Sequence, residues 1–211
     1  MAAGGLALLL SLCGSAAYAG AQHEEVLADS IRSALASQIA DRAPPEPTFL
    51  GYDDKLAFLN WLGEMGNRLR KRQPDFLTRQ DFLRSVWYES KRAGLDPAMV
   101  LGLIEVESGF RKHAISLSGA RGYMQVMPFW TRQIGNGDTR GLFDMRANLR
   151  YGCTILRFYV DRESGDLYYA LGRYNGSRGH AEYPNAVLAA WKKWQVPAAP
   201  AAAPKAMASV R

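Results

Sequence analysis

Apolar residues recur along this chain with helical spacing. Leu27, Ile31, Leu35 and Ile39 stand four apart and predict a helix over 24–41. Arg42-Ala43-Pro44-Pro45-Glu46-Pro47 breaks it as a stiff linker. Phe58, Leu59, Leu62, Met65 and Leu69 place a second helix over 53–72. Its closing cations, Arg68, Arg70, Lys71 and Arg72, suit the negative end of a helix dipole and read most simply as a solvated face. Pro74 marks a boundary, after which Thr78 and Asp81 resemble a capping box. Leu83, Val86 and Trp87 share a face up to Gly94, which closes that helix. Asp96-Pro97 then joins an N-cap acceptor to a proline at the first helical position. Beyond it, Val100, Leu103, Ile104 and Glu107 fall at i, i+3, i+4 and i+7, and Gly109 ends the run. Further helices are expected over 144–162 (Leu149, Cys153, Leu156, Val160), 167–175, and 183–194 (Val187, Leu188, Trp191). No alternating stretch of strand length appears, so the expected class is mainly α.

Glu107 closes an apolar stripe, where a carboxylate is costly unless it is partnered. Glu105, two residues earlier, points to roughly the opposite side. Spacing alone fits a structural carboxylate bonded to nearby backbone and a catalytic one equally well.

Length and composition change the picture little. A chain of 211 residues suits one main domain with extensions, and 48% hydrophobic with 22% charged residues is enough to build a core. The net charge of +6 favours anionic partners, nucleic acid and bacterial cell wall alike.

The N-terminus carries an export pattern. Leu6 to Leu12 is apolar and Ala17-Tyr18-Ala19 has the A-x-A form, which predicts a signal peptide over 1–19, although no Lys or Arg precedes the apolar run. That run is too short for a transmembrane helix, which needs about 20 apolar residues. Cys13 offers lipid attachment as the lesser alternative, because Leu12 stands where lipoprotein signals place a small residue. After processing, Cys153 is the sole cysteine and is expected to be buried. The Ala- and Pro-rich tail, 196–211, has too little to bury and is expected to be disordered.

Other chemistries lack their patterns. His23, His113 and His180 have no metal-ligand spacing, and His23-Glu24-Glu25 lacks the second histidine of a zincin. Gly176-Ser177-Arg178-Gly179 is not a nucleophile elbow. No cofactor and no metal are expected.

Three pieces remain, in order: Glu107-Ser108-Gly109-Phe110, then Gly122-Tyr123-Met124-Gln125 ahead of Met127-Pro128, then Arg173-Tyr174-Asn175. Together they resemble the catalytic region of the soluble-type lytic transglycosylases, in the lysozyme-like superfamily, over roughly residues 76–195. The resemblance implies a lysozyme-like helical catalytic domain (76–195) behind an N-terminal helical extension (20–75). It implies Glu107 as the single acid and base, cutting between N-acetylmuramic acid and N-acetylglucosamine to leave a 1,6-anhydro end. Ser108, Met124, Gln125, Tyr174 and Asn175 would bind substrate, with Met124 packing under the groove and the Tyr174 hydroxyl near the acid. Asp144, Asn148 and Gly152 match positions that look structural. The implied partner is the peptidoglycan glycan strand rather than nucleic acid, met by an exported, periplasmic monomer with room for peripheral contact to wall or membrane. Two departures stand out. Tyr123 replaces the usual Leu, which would reshape the groove or add a stacking surface. Arg173 and Ser177 replace the usual Ala and Gly around the Tyr-Asn pair, so the loop after Asn175 is expected to differ. The alternatives are a hydrolytic muramidase on the same fold and a non-catalytic wall-binding module.

Overall fold

The computed structural model describes residues 22–41 and 47–196. The expected signal peptide, Cys13, most of the proline linker and the tail beyond Val196 lie outside the described residues. Among the described residues eight α-helices follow in order: α1 Asp29–Ala40, α2 Tyr52–Leu69, α3 Phe76–Arg92, α4 Pro97–Ser108, α5 Phe129–Ile134, α6 Met145–Arg162, α7 Leu167–Asn175 and α8 Glu182–Trp194, with one 3₁₀ turn at Gly141–Phe143. No strand occurs among the described residues; two isolated bridges, Ile115 to Arg121 and Arg121 to Val126, pin one turn. The class is mainly α.

α4 is the axis. Met99, Val100, Leu101, Leu103 and Ile104 are all buried, so this helix is apolar nearly all round and has neighbours on every side. Asp96 caps it by accepting from the Ala98 amide at 2.8 Å, and Gly109 ends it at φ +57°. Its broadest contact is with α8. Gly102 makes the approach possible: a methyl there would stand 2.6 Å from the Trp191 backbone nitrogen.

Two local expectations are corrected. The first helix begins at Asp29, not at 24, and residues 22–28 run as an extended strap. Tertiary contacts pull that strap straight. Gln22 and Leu27 are buried, Glu24 pairs with Arg132, and Glu25 pairs with Arg162 and Arg173. The cap of α3 is Asp75, which accepts from the Thr78 amide at 2.7 Å, while Asp81 pairs with Arg146 instead. On α2, Phe58, Leu62, Met65 and Leu69 are buried as expected, but Leu59 is exposed and Trp61 takes its place against Trp87.

Between α3 and α6 lies a buried carboxylate. Glu89 accepts from Arg92 and Arg150, both at 2.9 Å, so its charge is matched from two sides. Cys153 sits beside it, buried and unpaired, as its apolar stripe implies.

Candidate active site

Glu107 sits on the last turn of α4, only 4% exposed. Its Oε1 accepts from the Tyr183 hydroxyl at 2.5 Å, and its Oε2 is buried with no hydrogen-bond partner among the described residues. Burial disfavours the charged form and raises the carboxyl from 4.5 to about 8, against the opposing pull of the Tyr183 hydrogen bond. At neutral pH the group therefore holds its proton. Tyr183 and Tyr174 are buried too, and both phenols are held well above their ordinary value, first by burial and then by the nearby Glu107 charge.

The turn from Ala114 to Val126 is fixed at many points. Arg121 and Val126 exchange backbone hydrogen bonds at 3.0 Å, and Asn148 reaches in from α6. Its Oδ1 accepts from the Met124 amide at 2.8 Å while its Nδ2 donates to Arg121 and Leu142 carbonyls. Gly122 lies at φ +76° with Asn148 Nδ2 2.4 Å from where a methyl would stand, so only glycine fits. Gly152 is equally committed, since a methyl there would meet the Met124 sulfur at 2.3 Å. Asn148 and Gly152 are thus structural in a specific sense: they seat Met124 and Gln125.

Gln125 itself occupies the left-handed region at φ +49°, a cost of about 1–3 kcal/mol for a residue other than glycine. It is held there by its own side chain, whose Nε2 donates to the Gly122 and Ala114 carbonyls at 2.9 and 3.2 Å. Met124 is fully buried. Ser108, also buried, donates to the carbonyls of Tyr123 (2.7 Å) and Ile104 (3.2 Å), and so ties the acid's helix to the turn. Tyr174 donates to the Met124 carbonyl at 2.8 Å, which joins α7 to the same turn. Asn175 donates to Ser177 Oγ at 3.0 Å, and its buried Oδ1 has no partner among the described residues. Glu107 and Asn175 therefore each keep one buried oxygen unmatched among the described residues, and such atoms suit a ligand's hydroxyl or amide.

One sequence expectation, a stacking face at Tyr123, is corrected here, and two others gain detail. Tyr174 stands near enough to Glu107 for its phenol to feel that charge but donates to backbone, and the hydroxyl bonded to Glu107 belongs to Tyr183. Tyr183 was legible only as the start of a helix. The missed signal is that it leads the buried stripe with Val187 and Trp194, and a buried phenol needs a partner for its hydroxyl. Tyr123 offers no stacking face, because it is 3% exposed, packs on Phe82 at 4.8 Å and accepts from Gln73. Arg173 and Ser177 have a local account. Arg173 joins Arg178 on Glu163, whose carboxyl is held down to about 2 by the Arg178 and Arg173 hydrogen bonds, and Arg173 also reaches Glu25 of the strap. Gly176, at φ +83°, takes the left-handed position that lets the Ser177 amide return to the Gly172 carbonyl.

A cavity of about 940 Å³ lies elsewhere, between α1, α6 and the 134–144 loop, and contains none of these residues. Its deepest charge, Glu89, is already paired. Among the described residues no group of three or more His, Cys, Asp or Glu is placed to hold a metal ion. Glu107 is thus a carboxyl with no ion-pair partner among the described residues, protonated at neutral pH and beside the Tyr183 phenol.

Residues 85–194 match the family model described as the transglycosylase SLT domain. The chain belongs to that family, and its described residues are mainly helical. A transglycosylase of Enterobacteria phage PRD1 is 32% identical over 102 residues, covering 46% of this chain and 37% of the relative. A membrane-bound lytic murein transglycosylase C of Mannheimia succiniciproducens is 43% identical over 83 residues, covering 36% and 23%. Among solved structures, an inactive mutant of the lytic transglycosylase Slt from Pseudomonas aeruginosa is 21% identical, with a TM-score of 0.48 over 69% of this chain and 30% of that one. The aligned part thus spans well under half the length of these relatives.

Proposed function

We propose that the protein is an exported peptidoglycan lytic transglycosylase that cleaves the bond between N-acetylmuramic acid and N-acetylglucosamine without water. The observation that carries this reading is the buried Glu107, protonated at neutral pH, with Oε2 left unmatched among the described residues. Glycoside cleavage begins with an acid that protonates the departing oxygen, and a desolvated carboxyl is suited to donating that proton. Once the proton has gone, the carboxylate that remains accepts from Tyr183 and becomes the base for the second step. It takes the proton of the muramic acid 6-hydroxyl as that oxygen bonds to C1. The sugar leaves as a 1,6-anhydro end, Glu107 is protonated again, and no water is consumed.

A single acid suffices because the nucleophile belongs to the substrate. Intramolecular attack of this kind gains about 7–11 kcal/mol in favourable cases. A hydrolase of the usual kind needs a second carboxylate near the first. Asp138, Asp144 and Glu163 have other occupations: Asp138 accepts from the Arg140 amide, Asp144 caps α6, and Glu163 holds Arg173 and Arg178. With the Gln125 and Asn175 nitrogens already donating within the protein, their side-chain oxygens are the acceptors suited to sugar hydroxyls and N-acetyl N–H groups, with Met124 packed behind them.

The test is digestion of borohydride-reduced sacculi followed by mass spectrometry. The expected muropeptides are lighter by one water than those of a muramidase and carry no new reducible end. Products that take up borohydride would make water the nucleophile. Intact sacculi after prolonged digestion would leave a binding module.

A further inference from the structure

The N-terminal extension carries no candidate catalytic residue, yet the end of α2 is built against the ends of α4 and α8. Arg68 donates to Glu64 at 2.8 Å and to the Lys193 and Gln195 carbonyls at 2.6 and 3.3 Å. Arg72 reaches Glu105 at 3.1 Å and lies over the Phe110 ring at 5.2 Å. Glu105 also accepts from Trp194 Nε1 at 2.6 Å and stands 3.9 Å from Lys193 Nζ. Arg68 and Arg72 are therefore occupied in joining three helix ends.

Their neighbours are not. The side chains of Arg70, Lys71 and Lys192 are exposed and have no hydrogen-bond or ion-pair partner among the described residues. Arg68, Arg70, Lys71, Arg72, Lys192 and Lys193 stand against three carboxylates, Glu64, Glu105 and Asp75, and all three are engaged. Half the cations thus face outward unpaired, in a chain whose whole net charge is +6.

Beside them is an apolar pair. The chain from Arg72 to Phe76 spans at most ~14 Å. Phe76 and Leu77, opening α3, are 60% and 75% exposed, with Arg79 behind the Phe76 ring at 5.7 Å. Val196, next to the Gln195 carbonyl that Arg68 grips, is 43% exposed. A lone exposed apolar residue needs no explanation, but adjacent large ones bordered by unpaired cations mark an interaction surface.

We infer that this end of the molecule docks on an anionic phospholipid bilayer. Phe76 and Leu77 enter the boundary between headgroups and acyl chains, while Arg70, Lys71 and Lys192 lie at the level of the phosphates. Cations alone would suit any polyanion. The Phe76-Leu77 pair decides for the bilayer, because a carboxylate-bearing wall polymer has little apolar to cover it. The extension then acquires a function, since α2 completes a cationic end that the catalytic helices alone would leave half built. This inference is independent of the catalytic reading.

The experiment is co-sedimentation of the full chain carrying Glu107→Gln with vesicles of phosphatidylcholine, with and without phosphatidylglycerol. It is repeated on the same chain with Arg70→Gln, Lys71→Gln and Lys192→Gln together, and with Phe76→Ser and Leu77→Ser together. All versions share residues 1–21, so any affinity those confer cancels in the comparison. Each interfacial cation is worth about fivefold in partition, so the charge variant should lose about a hundredfold on phosphatidylglycerol vesicles and little on phosphatidylcholine. The gap should close in high salt. The apolar variant should lose about tenfold or more at any salt. Equal partition of parent and charge variant into phosphatidylglycerol vesicles overturns the inference, as does a charge variant that loses binding to sacculi but not to vesicles. The three charge substitutions touch only exposed, unpaired side chains, so that arm remains decisive even if the apolar variant unfolds.

Discussion

Replacing the acid should make the protein more stable, and by an amount that depends on pH. In the unfolded chain Glu107 loses its proton near 4.5, but in the folded protein only near 8, because burial leaves its charge unsolvated. Between those values the unfolded state has released a proton that the folded state still holds. Raising the pH therefore favours unfolding: the penalty is absent well below 4.5, grows across the window, and is complete above about 8. At about 1.36 kcal/mol per pH unit, the complete penalty is about 5 kcal/mol. From pH 5 to pH 8 it grows by about 3–4 kcal/mol. Glu107→Gln keeps the shape and can still accept from Tyr183, but it never ionises. Urea unfolding of parent and variant at each pH gives the difference directly, and groups common to both cancel. The variant should gain on the parent steadily from pH 5 to 8 while cleavage falls by ~10²-fold or more. A stability difference that stays constant over that range would mean that Glu107 titrates normally, and the catalytic reading would lose its physical basis.

The rate should follow the same group. For the parent, kcat/KM on soluble glycan fragments should fall above about pH 8, as Glu107 gives up its proton. Tyr183→Phe removes the hydrogen bond that pulls this value down, so its alkaline limb should move to higher pH and its plateau drop by about tenfold or more; an unmoved limb would deny the contact a role. Gly152→Ala should lower stability by about 1–3 kcal/mol in denaturant melts and depress activity with it, since the added methyl displaces Met124 beneath Gln125. Cys153, fully buried with its thiol pushed up by that burial, should react with a disulfide reagent only as fast as the protein unfolds, so a fast reaction in native buffer would contradict its placement.

Much of this was legible in the sequence, for reasons that differ by element. α4 could be read almost to the residue, because Asp96-Pro97 and Gly109 are local signals whose physics does not depend on the rest of the fold. The same holds for α6 and α7, which Asp144 and Asp166 cap from immediately before the first turn. The strap at 22–28 could not be read. Leu27 shares the four-residue apolar spacing of the helix that follows, and what straightens the strap is a set of partners more than a hundred residues away. The candidate site divides in the same way. Glu107 announced itself by standing at the end of an apolar stripe. Tyr183 did not, since the hydroxyl's partner lies 76 residues back and only the packing of α8 on α4 brings the two together. The roles of Asn148 and Gly152 likewise required the turn they support to be seen.

The close approach at Gly102 bears on how the molecule breathes. With no side chain between α4 and the Trp191 backbone, these helices cannot slide without losing contact along their whole length. Glu107 rides on one and Tyr183 on the other, so acid and phenol move as a single body. The 114–126 turn is tied to the same frame by Ser108 and Asn148, so motion beside the acid falls to the 176–181 loop after Asn175. Backbone amides of α4 and α8 should then exchange with solvent only through global unfolding, while those of the loop exchange through smaller openings. Proton transfer would proceed in a frame that stays still while the substrate threads past it.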